Sequence, residues 1–297
     1  MDKETLLIEI YCKISALLKQ DKFVNVLKRP GVKPRFTDVE LITLSVFQEF
    51  TSFYKEDDYW QYCKVHLIKD FPELCDRTQY NRRRKNLVNI INMIRCELLK
   101  ELPSNSKTLI FDTLPVPVCT YTKGSKTKRF DGADFGYCSS KNMKYFGYKT
   151  ALAVTDNGIP VDFEFGSAAP HDIEYAKSML YQYQGINVIA DKALSGYKFK
   201  DNLINERDIQ IISPDKSNAR YKNPPWHKIL IRKVRNRIET VIGQLANLFS
   251  FERTWAKSQI GTFTRLVNKL LAFTFGLYIN YKYNFDFNKL DHLMNLF

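Results

Sequence analysis

Acidic residues are in short supply in this chain: 32 Asp and Glu stand against 45 Lys and Arg in 297 residues, a formal charge of +13. The resulting isoelectric point near 9.3 favours a polyanionic partner. A genome biased toward Lys, Asn, Tyr and Ile codons would produce part of the same excess, so the distribution of charge carries more than its total. No CxxC pair occurs among the six cysteines, Cys12, Cys63, Cys75, Cys96, Cys119 and Cys138, which suits free thiols in a reducing compartment. Cys63, His66 and Cys75 lack a fourth ligand at a usual spacing, which weighs against structural zinc. Long apolar runs are missing too. Leu270 to Ile279 falls short of the ~20 residues a membrane helix needs and reads as a core helix. The start Met1-Asp2-Lys3-Glu4-Thr5 is too polar for a secretory signal. These absences point to a cytoplasmic protein with no membrane partner. Repeats and long low-complexity tracts are also absent. With 44% hydrophobic residues the chain can build one large domain or two ordinary ones.

Residues 1–104 read as an all-helical N-terminal domain, closed by the turn-forming Pro103-Ser104-Asn105-Ser106. Thr37-Asp38-Val39-Glu40 is a capping box that predicts a helix start. A further helix is expected from about Thr78, with Leu87, Ile90, Ile91, Ile94 and Leu98 along one face. Its first turns would carry Arg82, Arg83, Arg84 and Lys85, where positive charge opposes the helix dipole unless an anion compensates. Two readings stand side by side: a helix-turn-helix-like DNA-binding unit using these four residues, or a solvated basic face on an ordinary bundle.

From residue 107 the period changes to that of strands. Thr108 to Cys119, Tyr148 to Thr155 and Ile159 to Phe165 read as three antiparallel strands, the last two joined by an Asp156-Asn157-Gly158 turn. A helix over 171–183, a strand over 186–190, a helix over 199–207, a strand over 209–212 and a long helix from Ile229 to Phe249 complete a βββαβαβα order. Segments 123–134 and 213–226 read as mobile basic loops. The expected organisation is a 105–254 domain of mixed α+β or α/β class, with a 255–297 helical extension packing on it.

Three acids stand out in this pattern. Asp112 interrupts the apolar run Leu109, Ile110, Phe111, and Asp191 closes Val188, Ile189, Ala190. Glu239 follows the basic segment Arg232, Lys233, Val234, Arg235, Asn236, Arg237. Converging carboxylates repel one another and stay ionised only beside a cation, and oxygen-only ligands point to Mg2+ or Mn2+. A pair of such ions activates a water or a DNA 3′-hydroxyl for in-line attack on phosphorus. Simpler roles exist for each acid: a turn for Asp112, a helix cap for Asp191, an i−4 ion pair with Arg235 for Glu239. Lys192, Arg232 and Arg235 are candidate phosphate contacts. The clustering of ten bases against three acids over residues 215–257 surrounds Glu239. His171 and Asp172 read as a helix cap, and Trp226 and Trp255 as packing rather than base-stacking residues.

Asp112 within Leu109-Ile110-Phe111-Asp112-Thr113-Leu114-Pro115, Asp191 within Val188-Ile189-Ala190-Asp191-Lys192, and Glu239 within Arg235-Asn236-Arg237-Ile238-Glu239-Thr240-Val241 together resemble the DDE triad of insertion-sequence transposases. The 982 group of insertion sequences is the nearest in pattern. The stretches from Phe146 to Pro160 and from Ala169 to Asp172 are similar to the same family. Four positions depart from it: Ala193-Leu194 follow Asp191-Lys192 where many relatives carry Gly-Tyr, and Arg232 and Ala246 stand where some related groups have Tyr and Lys. The resemblance implies a ribonuclease-H-like five-stranded mixed sheet flanked by helices. It implies two divalent metal ions held by the triad, and cleavage and joining of DNA at terminal inverted repeats. It also implies association with the nucleoid, and a dimer or larger assembly on paired ends. A DNA-binding protein with an inactive transposase-like domain, and a ribonuclease-H-like host nuclease, are the alternatives.

Overall fold

The structure is a computed structural model that describes residues 1–28, 30–104, 106–214 and 224–296, with Leu230 described in its backbone only. Much of the expected 213–226 loop, including Lys216, Arg220 and Lys222, lies outside the described residues. The chain forms two compact units, one of Met1–Leu102 with Asn247–Phe297, the other of Pro103–Ala246.

The first unit is helical. It contains α1 (Lys3–Leu18), α2 (Asp21–Leu27), α3 (Asp38–Gln48), α4 (Glu56–Tyr62), α5 (Arg77–Asn86) and α6 (Val88–Leu99). The Thr37–Glu40 capping box is present at α3: Thr37 Oγ1 accepts from Glu40 N–H, and Glu40 reaches back to Thr37 N–H. The single helix expected from residue 78 is two, because Leu87 leaves helical geometry at φ −91° and ψ 1°. The break changes the electrostatics of the basic run. Arg83, Arg84 and Lys85 occupy the last turn of α5, where cations complement the helix dipole instead of opposing it.

The C-terminal segment belongs to this unit, whereas the sequence had suggested that 255–297 would pack on the catalytic domain. Its long helix, numbered α10 below, spans Gln259–Lys282 and packs along α6, α3 and α5. It is buried on nearly every side: Leu266, Val267, Leu270, Leu271, Phe273 and Leu277 are each at most 1% exposed. A helix enclosed in this way has to satisfy its polar residues internally. Thr264, Asn268 and Thr274 accordingly bond the carbonyls four residues earlier, at 2.7, 2.9 and 2.8 Å. Lys269 pairs with Glu49 at 2.6 Å and donates to the Phe249 carbonyl at 2.6 Å. The short α11 (Asp291–Met294) ends the chain. Among the described residues no helix is long and apolar enough to cross a membrane.

The second unit is a mixed sheet with helices. In chain order it holds β1 (Thr108–Thr120), β2 (Asp134–Cys138), β3 (Met143–Thr155), β4 (Pro160–Ser167), α7 (Asp172–Leu180), β5 (Asn187–Ile189), α8 (Tyr197–Arg207), β6 (Gln210–Ile212) and α9 (Pro225–Asn247). Among the described residues the sheet has six strands, ordered β2-β3-β1-β5-β6 with β4 also on β3. Five of them, β4-β3-β1-β5-β6, form the expected three antiparallel and two parallel strands of a ribonuclease-H-like domain. The sixth, β2, lies just after a segment read as a mobile loop. It is short and mostly exposed, so it carries little of the alternation that marks a half-buried strand.

Odd-numbered residues of β1 face one hydrophobic core: Leu109 and Phe111 cluster with Ala151, Ala153, Val188, Ala190 and residues of α7 and α8. Asp112 therefore lies on the opposite face of the sheet.

The two prolines of β1 have a topological explanation. β1 pairs with β3 along its whole length but with β5 only over Thr108–Ile110. Pro115 and Pro117 sit beyond that point, where one edge of β1 is unpaired and a missing N–H costs no ladder bond. A bulge between Pro117 and Cys119 brings backbone onto Gly147, whose added Cβ would lie 2.3 Å from the Val116 carbonyl oxygen and 2.9 Å from Val118 N. Gly147→Ala is expected to destabilise the protein by about 1–3 kcal/mol, the usual range for overpacking, measured by urea denaturation. An unchanged midpoint would show that the bulge is not held this tightly.

Candidate active site

Asp112 and Asp191 meet where the β1–β5 ladder ends. The pairing Thr108↔Asn187, Leu109↔Val188, Ile110↔Ile189 has a constant offset of 79, and the two acids stand at the same offset, two residues past the last pair. Equal rungs on adjacent parallel strands project side chains to the same face. The electrostatics agree with the geometry. Burial pushes the Asp112 carboxyl from 3.8 up to about 6, against a hydrogen bond from Thr113 N–H, and the charge of Asp191 pushes it further while Arg235 draws it down. Asp112 Oδ1 accepts from Thr113 N–H at 2.8 Å. Asp191 Oδ1 accepts from Ala193 N–H at 2.6 Å, so the capping role open to it in the sequence is also realised.

α9 delivers Arg235 and Glu239. Ile231, Ile238, Val241 and Leu245 are buried and anchor one stripe of the helix, leaving Arg232 and Glu239 exposed. Arg235 is near enough to Asp112 to lower its pKa and has its Nη2 3.8 Å from Glu239 Oε1. The i−4 ion pair weighed for Glu239 is thus present, and the Glu239 side chain is 61% exposed. Asp112, Asp191 and Arg235 come together. Glu239 stands one helical turn beyond Arg235, and among the described residues no three His, Cys, Asp or Glu side chains approach closely enough to enclose a metal ion.

Asp172 has a role the sequence did not reveal. It was expected to cap α7 with His171, yet His171 makes no side-chain capping bond. Asp172 instead pairs with the buried Lys149 at 2.7 Å, and Lys149 also donates to the Pro170 carbonyl at 2.9 Å. The charge of Asp172 contributes to the raised pKa of Asp112. A lone Lys in the apolar strand Tyr148–Val154 was the available signal. Lys149, Asp172 and the exposed Lys192 line a cleft of about 750 Å3 whose other walls include Tyr121, Phe135, Tyr137 and Lys144.

Of the four basic residues expected to contact DNA in the helical unit, two are spent on the fold. Arg83 donates to the Phe36 carbonyl at 2.7 Å and pairs with Asp38 at 2.8 Å. Arg84, 2% exposed, pairs with Glu56 at 2.6 Å. Arg82 is exposed and Lys85 half-buried. The tryptophans also depart from expectation: Trp226 and Trp255 are both 58% exposed rather than packed.

A family model described as a transposase DDE domain matches residues 103–275, more than half of the chain. The chain belongs to the DDE transposase-domain family. DDE transposase domains are polynucleotidyl transferases and generally use divalent metal ions. Among solved structures, the fold is similar to that in the cryo-EM structure of a piggyBac transposase synaptic complex with hairpin DNA, at a TM-score of 0.51 and 12% identity, covering 99% of this chain and 79% of the other. No curated protein sequence matches the chain.

The donor set at Asp112 and Asp191 fits a hard cation: two carboxylates, no sulfur or imidazole, held together against their own repulsion. The cost of ionising Asp112, set first by its burial and then by the charge of Asp191, is measurable without any metal. The folded-state pKa of Asp112 lies above its unfolded value of 3.8, so ionisation above about pH 6 costs the folded state, and the cost disappears as pH falls toward the unfolded pKa. Asp112→Asn is expected to raise the thermal midpoint in EDTA above pH 7 by a few degrees, about 1 kcal/mol, and to lose this advantage below pH 5. An Asn variant that melts no higher than wild type above pH 7 would contradict the cost of holding the Asp112 charge buried beside Asp191.

Proposed function

We propose that this DDE transposase-domain protein cleaves DNA at the terminal inverted repeats of its own element and joins the freed 3′-hydroxyl to target DNA. The reading rests on one observation above others: Asp112 and Asp191 stand at matching positions two residues past the end of the parallel β1–β5 ladder, inside the matched transposase domain. The motifs around the three acids favour the 982 group of insertion sequences. The similar piggyBac structure is a synaptic complex with hairpin DNA, which supports double-stranded DNA ends as the substrate here. Two ends handled together favour a dimer or larger assembly on DNA.

Asp112, Asp191 and Glu239 would hold the metal, in the Mg2+ or Mn2+ class, most simply as two ions. When bound, the ions lower the pKa of a nucleophilic oxygen and stabilise the leaving oxygen in phosphoryl transfer. The chain's own residues set up the rest. Asp112 and Asp191 are fixed by the Thr113 and Ala193 amides, so their carboxylates are oriented before substrate arrives. Arg235 supplies positive charge to Asp112 and Glu239 in the absence of metal. Lys192 and Arg232, both exposed, are available to phosphate oxygens on either side of the scissile bond. In the reaction a water or 3′-hydroxyl oxygen forms the new bond to phosphorus, the phosphorus–O3′ bond breaks, and the departing 3′ oxygen takes up a proton.

Labelled duplex carrying the repeats that flank the gene provides the test. Nicks at the repeat ends are expected with Mg2+ or Mn2+ and not with EDTA. Asp112→Ala, Asp191→Ala and Glu239→Ala should each lower cleavage by at least about 100-fold while retaining end binding. Folded wild-type protein that binds the ends and never cleaves them would favour the inactive DNA-binding alternative, and cleavage without preference for the repeats would favour the host-nuclease alternative.

A further inference from the structure

A broad groove of the helical unit shares no lining residue with the acidic site. It encloses about 1020 Å3 between the start and end of α5 and the N-terminal turn of α10. Seven cations line it, Lys55, Arg77, Arg82, Arg84, Lys85, Lys257 and Arg265, against two carboxylates, Glu56 and Asp57. Both carboxylates are already engaged. Glu56 bonds Arg84 at 2.6 Å and Asn81 at 2.7 Å, with Arg265 at 3.6 Å. Asp57 lies 3.2 Å from Arg77. Arg82, Lys85 and Lys257 have no carboxylate partner among the described residues, so the groove keeps an uncompensated positive charge. Arg265 is itself driven down to about 10, by burial first and then by the charge of Arg84.

The backbone adds to that field. α10 is 24 residues long, and Ser258 Oγ takes the Gly261 N–H at 3.2 Å, leaving the N–H groups of Gln259 and Ile260 directed at an outside acceptor. Lys85 lies against this turn: its Cε would be 3.7 Å from a Cβ on Gly261. Trp255, on the wall of the groove, holds its indole 58% exposed with a backbone φ of +53°. A bulky residue in the left-handed region costs energy and is retained where the site needs it.

We propose that this groove binds the sugar-phosphate backbone of duplex DNA, with Arg82, Lys85, Lys257 and the amides at the start of α10 on phosphate oxygens and Trp255 packed on the adjoining deoxyribose. The assignment rests on the transposase reading for its choice of DNA as the polyanion. It replaces the simple basic-helix contact: within the run from Arg82 to Lys85, the buried Arg84 is spent on Glu56 and Arg83 on Asp38, and the free phosphate contacts are recruited from two segments distant in sequence.

The test uses the full chain in EDTA. Duplex DNA binding is followed by fluorescence anisotropy across a salt titration for wild type and for Arg82→Ala/Lys85→Ala/Lys257→Ala, with circular dichroism as the check on folding. The triple variant is expected to lose at least about tenfold in affinity, and its slope of log K against log salt should be shallower by about 2–3, close to 0.9 per lost phosphate contact. In a Trp226→Phe background, leaving Trp255 as the exposed indole beside the buried Trp60, DNA should quench or shift the emission. Wild-type affinity and slope in a folded triple variant would overturn the groove. Tighter binding of duplex RNA than of duplex DNA, lost in the same variant, would overturn its assignment to DNA. Groove-dependent DNA binding without metal-dependent cleavage would leave the groove standing and remove the transposase reading, so the two fail separately.

Discussion

The burial of the Asp112 carboxylate, with the charge of Asp191 adding to its cost, is the constraint on which the acidic site depends. Parallel pairing of β1 with β5 stops at Ile110 and Ile189, so the two strands part immediately before the acids. Had the ladder continued, adjacent carboxylates would be locked side by side with no room for a counter-charge. Past its end a neighbouring amide fixes each acid, and Arg235 supplies partial neutralisation to Asp112. The prolines of β1 use the same opening, since the unpaired edge needs no N–H donor. Strand length and proline placement are thus consequences of a single break in hydrogen bonding, while burial raises the pKa of Asp112.

The catalytic fold was legible because its signals were local and strong. Apolar strands of Val, Ile and Phe interrupted by single acids marked β1 and β5, and the Asp156-Asn157-Gly158 turn marked the β3–β4 hairpin. What stayed hidden depended on contacts distant in sequence. The apolar spacing of Leu87, Ile90, Ile91, Ile94 and Leu98 starts at the junction and belongs to α6, while α5 is almost wholly polar, so the pattern cannot tell one long helix from two. That change alone moves the arginine run from the beginning of one long helix to the end of a short one and reverses the sign of its dipole interaction. Arg83 and Arg84 are then consumed by Asp38 and Glu56, residues 45 and 28 positions away. The partner of Lys149 was obscure for the same reason: Asp172 stands 23 residues on, beyond any local pattern.

Positive charge is divided between the fold and the surface by desolvation. A buried guanidinium persists only with a carboxylate and several acceptors around it, and Arg84 has Glu56 and Gln48 while Lys269 has Glu49 and the Phe249 carbonyl. These pairs remove cations from the pool available to a polyanion. The net charge of +13 therefore says less about binding than the subset with no acid beside it, and charge counted along the sequence misidentifies that subset when adjacent arginines have opposite fates.

Glu239 exposes the difference between a pocket built for its ligand and one completed by it. Asp112 and Asp191 are positioned by sheet register and backbone amides, which do not depend on any ion. Glu239 sits on an exposed face of α9, tied to Arg235 at 3.8 Å, an interaction worth only a few tenths of a kcal/mol, roughly 0.3–0.5, on an exposed helix. A contact that weak yields readily to a competing dication, whereas moving the strand ends that carry Asp112 and Asp191 would disturb the adjoining ladder and core packing. In the proposed triad the two aspartates would form the rigid half and the glutamate the adjustable half, an arrangement that would limit the electrostatic cost of holding three carboxylates together.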